Sequence, residues 1–308
     1  MFEIIKPGTN IDFVGYRFYA VTASIVLIIV GIVSLLVRGV NYGIDFAGGT
    51  LVQVKFQQPV TIDDIRAAVE SISAKDVTVQ DFGSGRSNEF IVRMLESDPE
   101  LKRGLTQQVS KALAERFTGK SDFEVLRVES VGPRVGKDLR QRAVLAVLAA
   151  TVVMGIYIAL RFEARFGVGA AVALLHDVMV AVTALSLTRM EFDLTTVAAL
   201  LTIVGYSVND TVIVSDRIRE NMRKNRREAL ASVMNRSINE TLSRTILTGG
   251  TVLLVVLALF FLGGEIIHGF AFTLLIGVIV GTYSSVYIAS PIVLYMELKP
   301  RARAKAAA

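Results

Sequence analysis

GYSVNDTVIVSDRIRENMRK, residues 205–224, decides how the chain is read. It closes a long apolar stretch and opens a basic one. Asn209 and Asp210 lie inside the apolar part. At 1.5 Å of helix rise per residue, Asp210 stands about 9 Å from Asp216, the next charged residue. An ionised Asp at the bilayer centre costs ~2.5–3.5 kcal/mol, and less near the interface. Asn209 points in a different direction from Asp210, so two neighbouring polar groups both need partners. A water-solvated Asp at a helix end is the structural account. A titrating group inside the membrane is the functional one, and the paired polar residues favour it.

The rest of the chain agrees with a membrane setting. Of its 308 residues, 52% are hydrophobic, and the mean hydropathy is +0.53. Apolar runs long enough to cross ~30 Å of hydrocarbon cover residues 18–37, 142–160, 166–187, 194–214, 245–262 and 269–296. A polar region, 38–138, separates the first run from the others. The first run precedes Arg38 and an Asp-containing turn rather than a cleavage site, so it reads as a retained span. The expected organisation is a cytoplasmic segment 1–17, a span 18–37, an extracytoplasmic domain 38–138, a five-helix bundle 139–296 with a basic loop 215–244, and a tail 297–308.

Orientation follows the basic residues of the short loops. Arg161, Arg165, Arg217, Arg219, Arg223, Lys224, Arg226, Arg227 and Arg236 share one side with Lys6, Arg17 and the KPRARAK tail. That side reads as cytoplasmic, with both termini on it. The opposite turns, TRMEFD and GGEIIHG, are nearly neutral. Lys137, Arg140 and Arg142 lie on the other side, after a long translocated domain where the rule is weak. A net charge of +5 thus reflects loop bias rather than nucleic-acid binding. The absence of cysteine removes disulfides and thiolate metal sites, and only two histidines are present.

The polar region alternates in period. TLVQVKF reads as a strand, and TIDDIRAAVESI as a helix with Thr61 as its cap. DVTVQDF and EFIVRML read as strands joined by GSGRSN. PELKRGLTQQVSKALAERF is a helix with Pro99 near its start, and DFEVLRVESV a last strand. The order βαββαβ suggests a ferredoxin-like α+β sandwich. The fold class is thus a polytopic α-helical membrane protein, six transmembrane helices in a 1+5 layout, carrying that domain outside.

Arg244 begins the span after the basic region, so it can lie at the depth of Asp210 on a neighbouring helix. A carboxylate held between desolvation and a cation can take up and release a proton. His176 and Asp177 lie deeper in their span. Adjacent residues point about 100° apart, so no mutual pair on one face is expected; the pair is either a second protonatable position or a helix-packing device. Gly277, Gly281 and Ser285 recur every fourth residue, the spacing of close helix packing. Leu230, Val233, Met234, Ile238 and Leu242 share one helical face, suited to the cytoplasmic membrane surface or to packing under the bundle. No Walker A loop, HExxH or nucleophile elbow is present, so no enzyme activity, cofactor or metal is expected. NYGIDFAGGT precedes a strand, which makes it a turn rather than a phosphate cradle.

Those motifs carry a resemblance. NYGIDFAGGT after the first span and VGPRVGKDL before the second resemble the SecD/SecF family of translocation proteins. LLHDV, GYSVNDTVIVSDRIREN and SINETLSRTILT are similar to its SecF branch. Ser215 stands where the family pattern has a bulkier apolar residue. The family belongs to the resistance–nodulation–division superfamily. The resemblance implies pairing with SecD in a twelve-span unit, action with the SecYEG channel after the SecA step, and use of a proton or sodium gradient to complete preprotein export. It adds YajC as a further candidate partner, alongside the translocating preprotein and membrane lipid. It also implies Asp210 as the ion-coupling carboxylate and Arg244 as its basic companion. Two rival readings stand beside it. A half-transporter for small molecules would need a larger outer domain, and a passive assembly subunit would use the same charges only to hold helices together.

Overall fold

The computed structural model describes residues 9–70, 75–81, 88–95, 102–118, 122–225 and 227–296. Most of the GSGRSN turn, Pro99, Lys6, Arg226 and the KPRARAK tail lie outside them. The elements in chain order are α1 (Arg17–Arg38), α2 (Ile44–Ala47), β1 (Gly49–Phe56), α3 (Ile62–Val69), β2 (Lys75–Asp81), β3 (Glu89–Leu95), α4 (Lys102–Phe117) and β4 (Phe123–Val131). There follow α5 (Pro133–Arg161), α6 (Ala164–Thr188), α7 (Leu194–Lys224), α8 (Leu230–Leu262) and α9 (Glu265–Ser284). Among the described residues, six helices are long and apolar enough to span a bilayer, the last running through Ile266–Met296.

Many apolar side chains of the membrane helices face outward, as in lipid-embedded helices, and α1 packs through small and polar residues. α1 buries only Ser24, Gly31 and Ser34. Ser34 Oγ lies 2.8 Å from Ser186 Oγ of α6. α6 and α7 form the centre, and their buried side chains join one core with residues of α5, α8 and the last helix. Past Ser284 the helix widens to a π-turn, Ser285–Ala289. Pro291 has no N–H to donate, and the wider turn accommodates that missing bond.

Among the described residues, the domain between α1 and α5 is a four-stranded sheet in the order β2-β3-β1-β4, every neighbouring pair antiparallel. β3 therefore lies between β1 and β2, the split βαβ arrangement. Thr61 caps α3, accepting from the Asp64 amide at 3.2 Å. Alternation along β1 sends Val52, Val54 and Phe56 into a core with Ile65, Val69, Val92, Met94, Leu113 and Phe117. The opposite face, with Gln53, Arg93 and Arg127, lines a cavity of about 450 Å³ above the α6–α7 turn.

Three expectations need correction. The basic region 215–244 is not a separate loop: residues 215–224 continue α7, and the helical face expected over 230–242 belongs to α8 itself. The apolar face of residues 230–242 does not lie on the membrane surface, because Leu230, Val233, Met234 and Ile238 are buried and Leu230, Met234 and Ile238 join the bundle core. Packing against the bundle buries that face more fully than a lipid surface could. NYGIDFAGGT is also more than a turn, since Ile44–Ala47 forms one helical turn before Gly48 and Gly49. Gly48 has φ +78°, and a Cβ there would lie 2.7 Å from Pro133 Cα. The paired glycines let the domain's entry cross the start of α5.

Candidate functional site

α7 brings the polar residues together. It starts at an Asp193 cap, whose Oδ1 accepts from the Thr196 amide at 2.8 Å, and continues unbroken past Asp216. Asp210 therefore sits at the middle of a helix rather than near its end, and it is 1% exposed. Its Oδ2 receives a long hydrogen bond from Thr282 Oγ1 of α9, 3.4 Å. Its Oδ1 is buried with no hydrogen-bond partner. Tyr206, one turn earlier on α7, lies beside Thr282. α8 closes the site through Gly249, where a Cβ would lie 3.2 Å from Thr282 Oγ1 and 3.5 Å from Tyr206 OH.

Arg244 lies on α8 and acts on Asp210 through space, but the two form no ion pair. Its side chain is exposed. Sequence reasoning expected Arg244 as the direct partner of Asp210; the two lie on adjacent helices, but that contact does not form. Asn209 does not join the interior: it is exposed on the outer face of α7, about 100° of helical rotation from Asp210.

Asp177 is as buried as Asp210 but differs in its hydrogen bonds. It is 0% exposed. Ser207 Oγ of α7 donates to its Oδ2 at 2.6 Å, and Ser284 Oγ of α9 donates at 2.8 Å. His176 Nδ1 lies 3.0 Å from its Oδ1. This corrects the expectation that the neighbours form no mutual pair. Their Cβ atoms do diverge, but Nδ1 sits close to the imidazole's own backbone and reaches the adjacent carboxylate by side-chain rotation. The ring of His176 stacks on Tyr283 at 6.1 Å. Ser207 and Asp210 are one turn apart on α7, so both carboxylates meet the same α7–α9 seam.

Gly277 and Gly281 make that seam possible. A Cβ at Gly277 would lie 2.2 Å from Ile203 Cδ1, and one at Gly281 3.1 Å from Ser207 Cβ. Sequence reasoning found the spacing and missed the hydroxyls beside it. Thr282 and Ser284 sit within GTYSS, a run of hydroxyl residues whose contacts only packing reveals. No group of His, Cys, Asp and Glu among the described residues is arranged to hold a metal ion.

The head of α7 is bound to the root of the sheet domain. Phe192 N donates to Asn41 O at 2.8 Å, and Gly43 N to Phe192 O at 3.0 Å. Leu194 N donates to Asp45 Oδ2 at 3.0 Å. Arg93 of β3 forms an ion pair with Glu191.

Comparison with known proteins places this arrangement. Residues 109–299 match the profile of the protein export membrane protein SecD/SecF C-terminal family, and residues 33–60 match the SecD/SecF GG motif. The chain belongs to the SecD/SecF family. A protein translocase subunit SecF from Desulfurispirillum indicum is 46% identical over 290 residues, covering 92% of this chain and 91% of its own. The SecF of Escherichia coli O157:H7 is 42% identical over 299 residues, covering 96% and 91%. SecDF from Thermus thermophilus, a translocon-associated membrane protein, superimposes with a TM-score of 0.82 at 38% identity. That match covers 94% of this chain and 39% of the longer SecDF chain. A super-membrane-facing form of SecDF gives 0.73 at 36% identity, covering 100% and 41%. The chain is thus a multi-pass membrane protein of the SecF kind, and its GG motif is the Gly48–Gly49 crossing described above.

Proposed function

We propose that this chain is an auxiliary subunit of the Sec preprotein translocase. It pairs with SecD, acts with SecYEG and uses an ion gradient to complete preprotein export after the SecA step. It resides in a bacterial cell membrane with both termini cytoplasmic, and YajC is a further candidate partner. Its relatives bear the name of a translocase subunit, which is an accessory and non-catalytic role.

The coupling role falls to Asp210, and one observation carries it. Of the two buried carboxylates on the α7–α9 seam, Asp177 is saturated with hydrogen bonds and Asp210 has an oxygen with none. A buried carboxylate oxygen without a donor is costly while ionised and is free to take a proton or a cation. Arg244 supplies a nearby positive charge without neutralising the group by contact. A change of state at Asp210 acts on α7, whose head is bonded to the outer domain through Asn41, Gly43 and Asp45. Movement of one charge through the field is worth ~2.3 kcal/mol per 100 mV, enough to bias two conformations by tens-fold.

The experiment is gradient-stimulated completion of preprotein export with Asp210→Asn, co-expressed with SecD at matched complex levels. Loss of stimulation with assembly intact is the expected result; unchanged export removes Asp210 from the coupling role. An Asp210→Arg/Arg244→Asp exchange separates the passive-subunit reading. Inactivity agrees with a titrating carboxylate, and full rescue makes the charges structural.

A further inference from the structure

The end of the bundle away from the outer domain carries an arginine pair that the coupling site does not use. α5 ends at Arg161, and Phe162 follows it, 8% exposed. The Arg161 guanidinium lies 5.4 Å from the centroid of the Phe162 ring. Arg219, five residues before the end of the neighbouring α7, lies 5.9 Å from the same ring.

Neither arginine forms an ion pair with a described carboxylate, whereas three others at this end of the bundle do. Arg165 pairs with Glu163 at 2.6 Å, Arg217 with Glu220 and Glu240 at 2.6 Å, and Arg236 with Glu228 at 2.9 Å. Asp216, one turn before Arg219, pairs with neither arginine. Arg219 Nε is buried with no hydrogen-bond partner. Arg161 stands at a helix C-terminus, where a cation offsets the macrodipole. Arg219 lies inside α7, which continues to Lys224, so no helix end accounts for it. Two like charges brought to one ring repel, and the attraction of each to the ring is modest. An anion reached by the solvent-facing ends of both guanidinium groups would offset that repulsion.

We infer that Arg161 and Arg219 hold the phosphate of an anionic phospholipid. The planar guanidinium fork matches phosphate oxygens two at a time. The flank of α5 selects a lipid over a free phosphate. Leu160 (84% exposed), Ile156 (53%) and Val153 (60%) form an outward apolar stripe leading from Arg161 toward the bundle middle. A headgroup at the arginines would lay an acyl chain along that stripe. The end of a spanning helix is also where headgroups lie.

The test uses the full-length purified chain in neutral detergent, mixed with phosphatidylglycerol or phosphatidylcholine, with retained lipid counted by native mass spectrometry. Wild type is expected to retain phosphatidylglycerol in preference to phosphatidylcholine. Arg161→Gln/Arg219→Gln is expected to lower that retention roughly tenfold, the effect of one lost strong contact. Arg223→Gln/Arg227→Gln, at the same end of the bundle, is expected to leave it unchanged. Equal retention of the two lipids in wild type, or no loss in the Arg161/Arg219 variant, overturns the site. Displacement of phosphatidylglycerol by millimolar inorganic phosphate makes it a free-anion site and overturns the lipid assignment. Should the double variant not fold, Arg219→Lys decides. It keeps the charge and removes the fork, so reduced retention supports the site and unchanged retention overturns it.

Discussion

Ser207 of α7 donates a hydrogen bond to Asp177 of α6 at 2.6 Å, and Ser284 of α9 donates to the same oxygen at 2.8 Å. One carboxylate thus ties three helices together. The next turn of α7 presents Asp210, whose Oδ1 has no such donor. The two acids meet one seam but differ in how fully they are hydrogen-bonded, and the proposed division of structure and coupling between them rests on that contrast.

Asp177→Ala should destabilise the bundle, because it leaves Ser207, Ser284 and His176 Nδ1 without their acceptor. Hydrogen bonds inside membrane bundles average ~0.6 kcal/mol, so a loss of about 1–2 kcal/mol is expected. Thermal unfolding in detergent measures it. Asp177→Asn should lose less, since its carbonyl oxygen still accepts. Gradient stimulation per folded complex should survive in Asp177→Asn, unlike in Asp210→Asn.

Gly277→Val should push α7 and α9 apart, since a Cβ there would lie 2.2 Å from Ile203 Cδ1. Overpacking of this kind costs about 1–3 kcal/mol. Adding Ile203→Ala should recover part of the loss, because the two sites share one space. A double-mutant cycle of melting temperatures that shows simple additivity would contradict the close approach.

Glu191→Gln should loosen the outer domain at its base. Arg93 and Glu191 are 15% and 27% exposed at the side chain, so their ion pair is well shielded. Burial pushes the Arg93 guanidinium below its ordinary range, and Asp193 pulls it back up. Removing Glu191's charge leaves a desolvated cation short of one partner, at a cost of about 1–3 kcal/mol. Faster hydrogen exchange in β3 and the 189–193 turn reports it. An Arg93→Leu/Glu191→Leu pair should be milder than either single change.

Glu228 predicts a pH dependence at the start of α8. The Ser232 hydroxyl and then the Arg236 guanidinium hold its carboxyl below the ordinary 4.5. A depressed carboxylate stabilises the fold above its unfolded pKa, and that contribution is lost as pH falls through the folded value. The difference in unfolding temperature between wild type and Glu228→Gln should therefore be present near neutrality and fade below pH 4.5. A difference constant with pH would mean that the charge of Glu228 is not responsible.

Hydropathy alone determined the spans, because ~20 apolar residues have few stable settings outside a bilayer. Alternation along TLVQVKF and EFIVRML, with the Thr61 cap, determined the elements of the outer domain, since those signals are local. The length of α7 was not legible. Asp216, Arg217 and Arg219 read as the end of a span, whereas the helix continues with Ile218 buried in the bundle core and Asn221 bonded to Ser237 of α8. The face of residues 230–242 has the same pattern whether lipid or protein covers it, so only packing could assign it. The tertiary structure alone separated Asp177 from Asp210. Each is a single acid in an apolar run, and what distinguishes them is the number of hydroxyls that other helices bring within reach. Sequence sets where a charge enters the membrane; the neighbouring helices set whether that charge is satisfied.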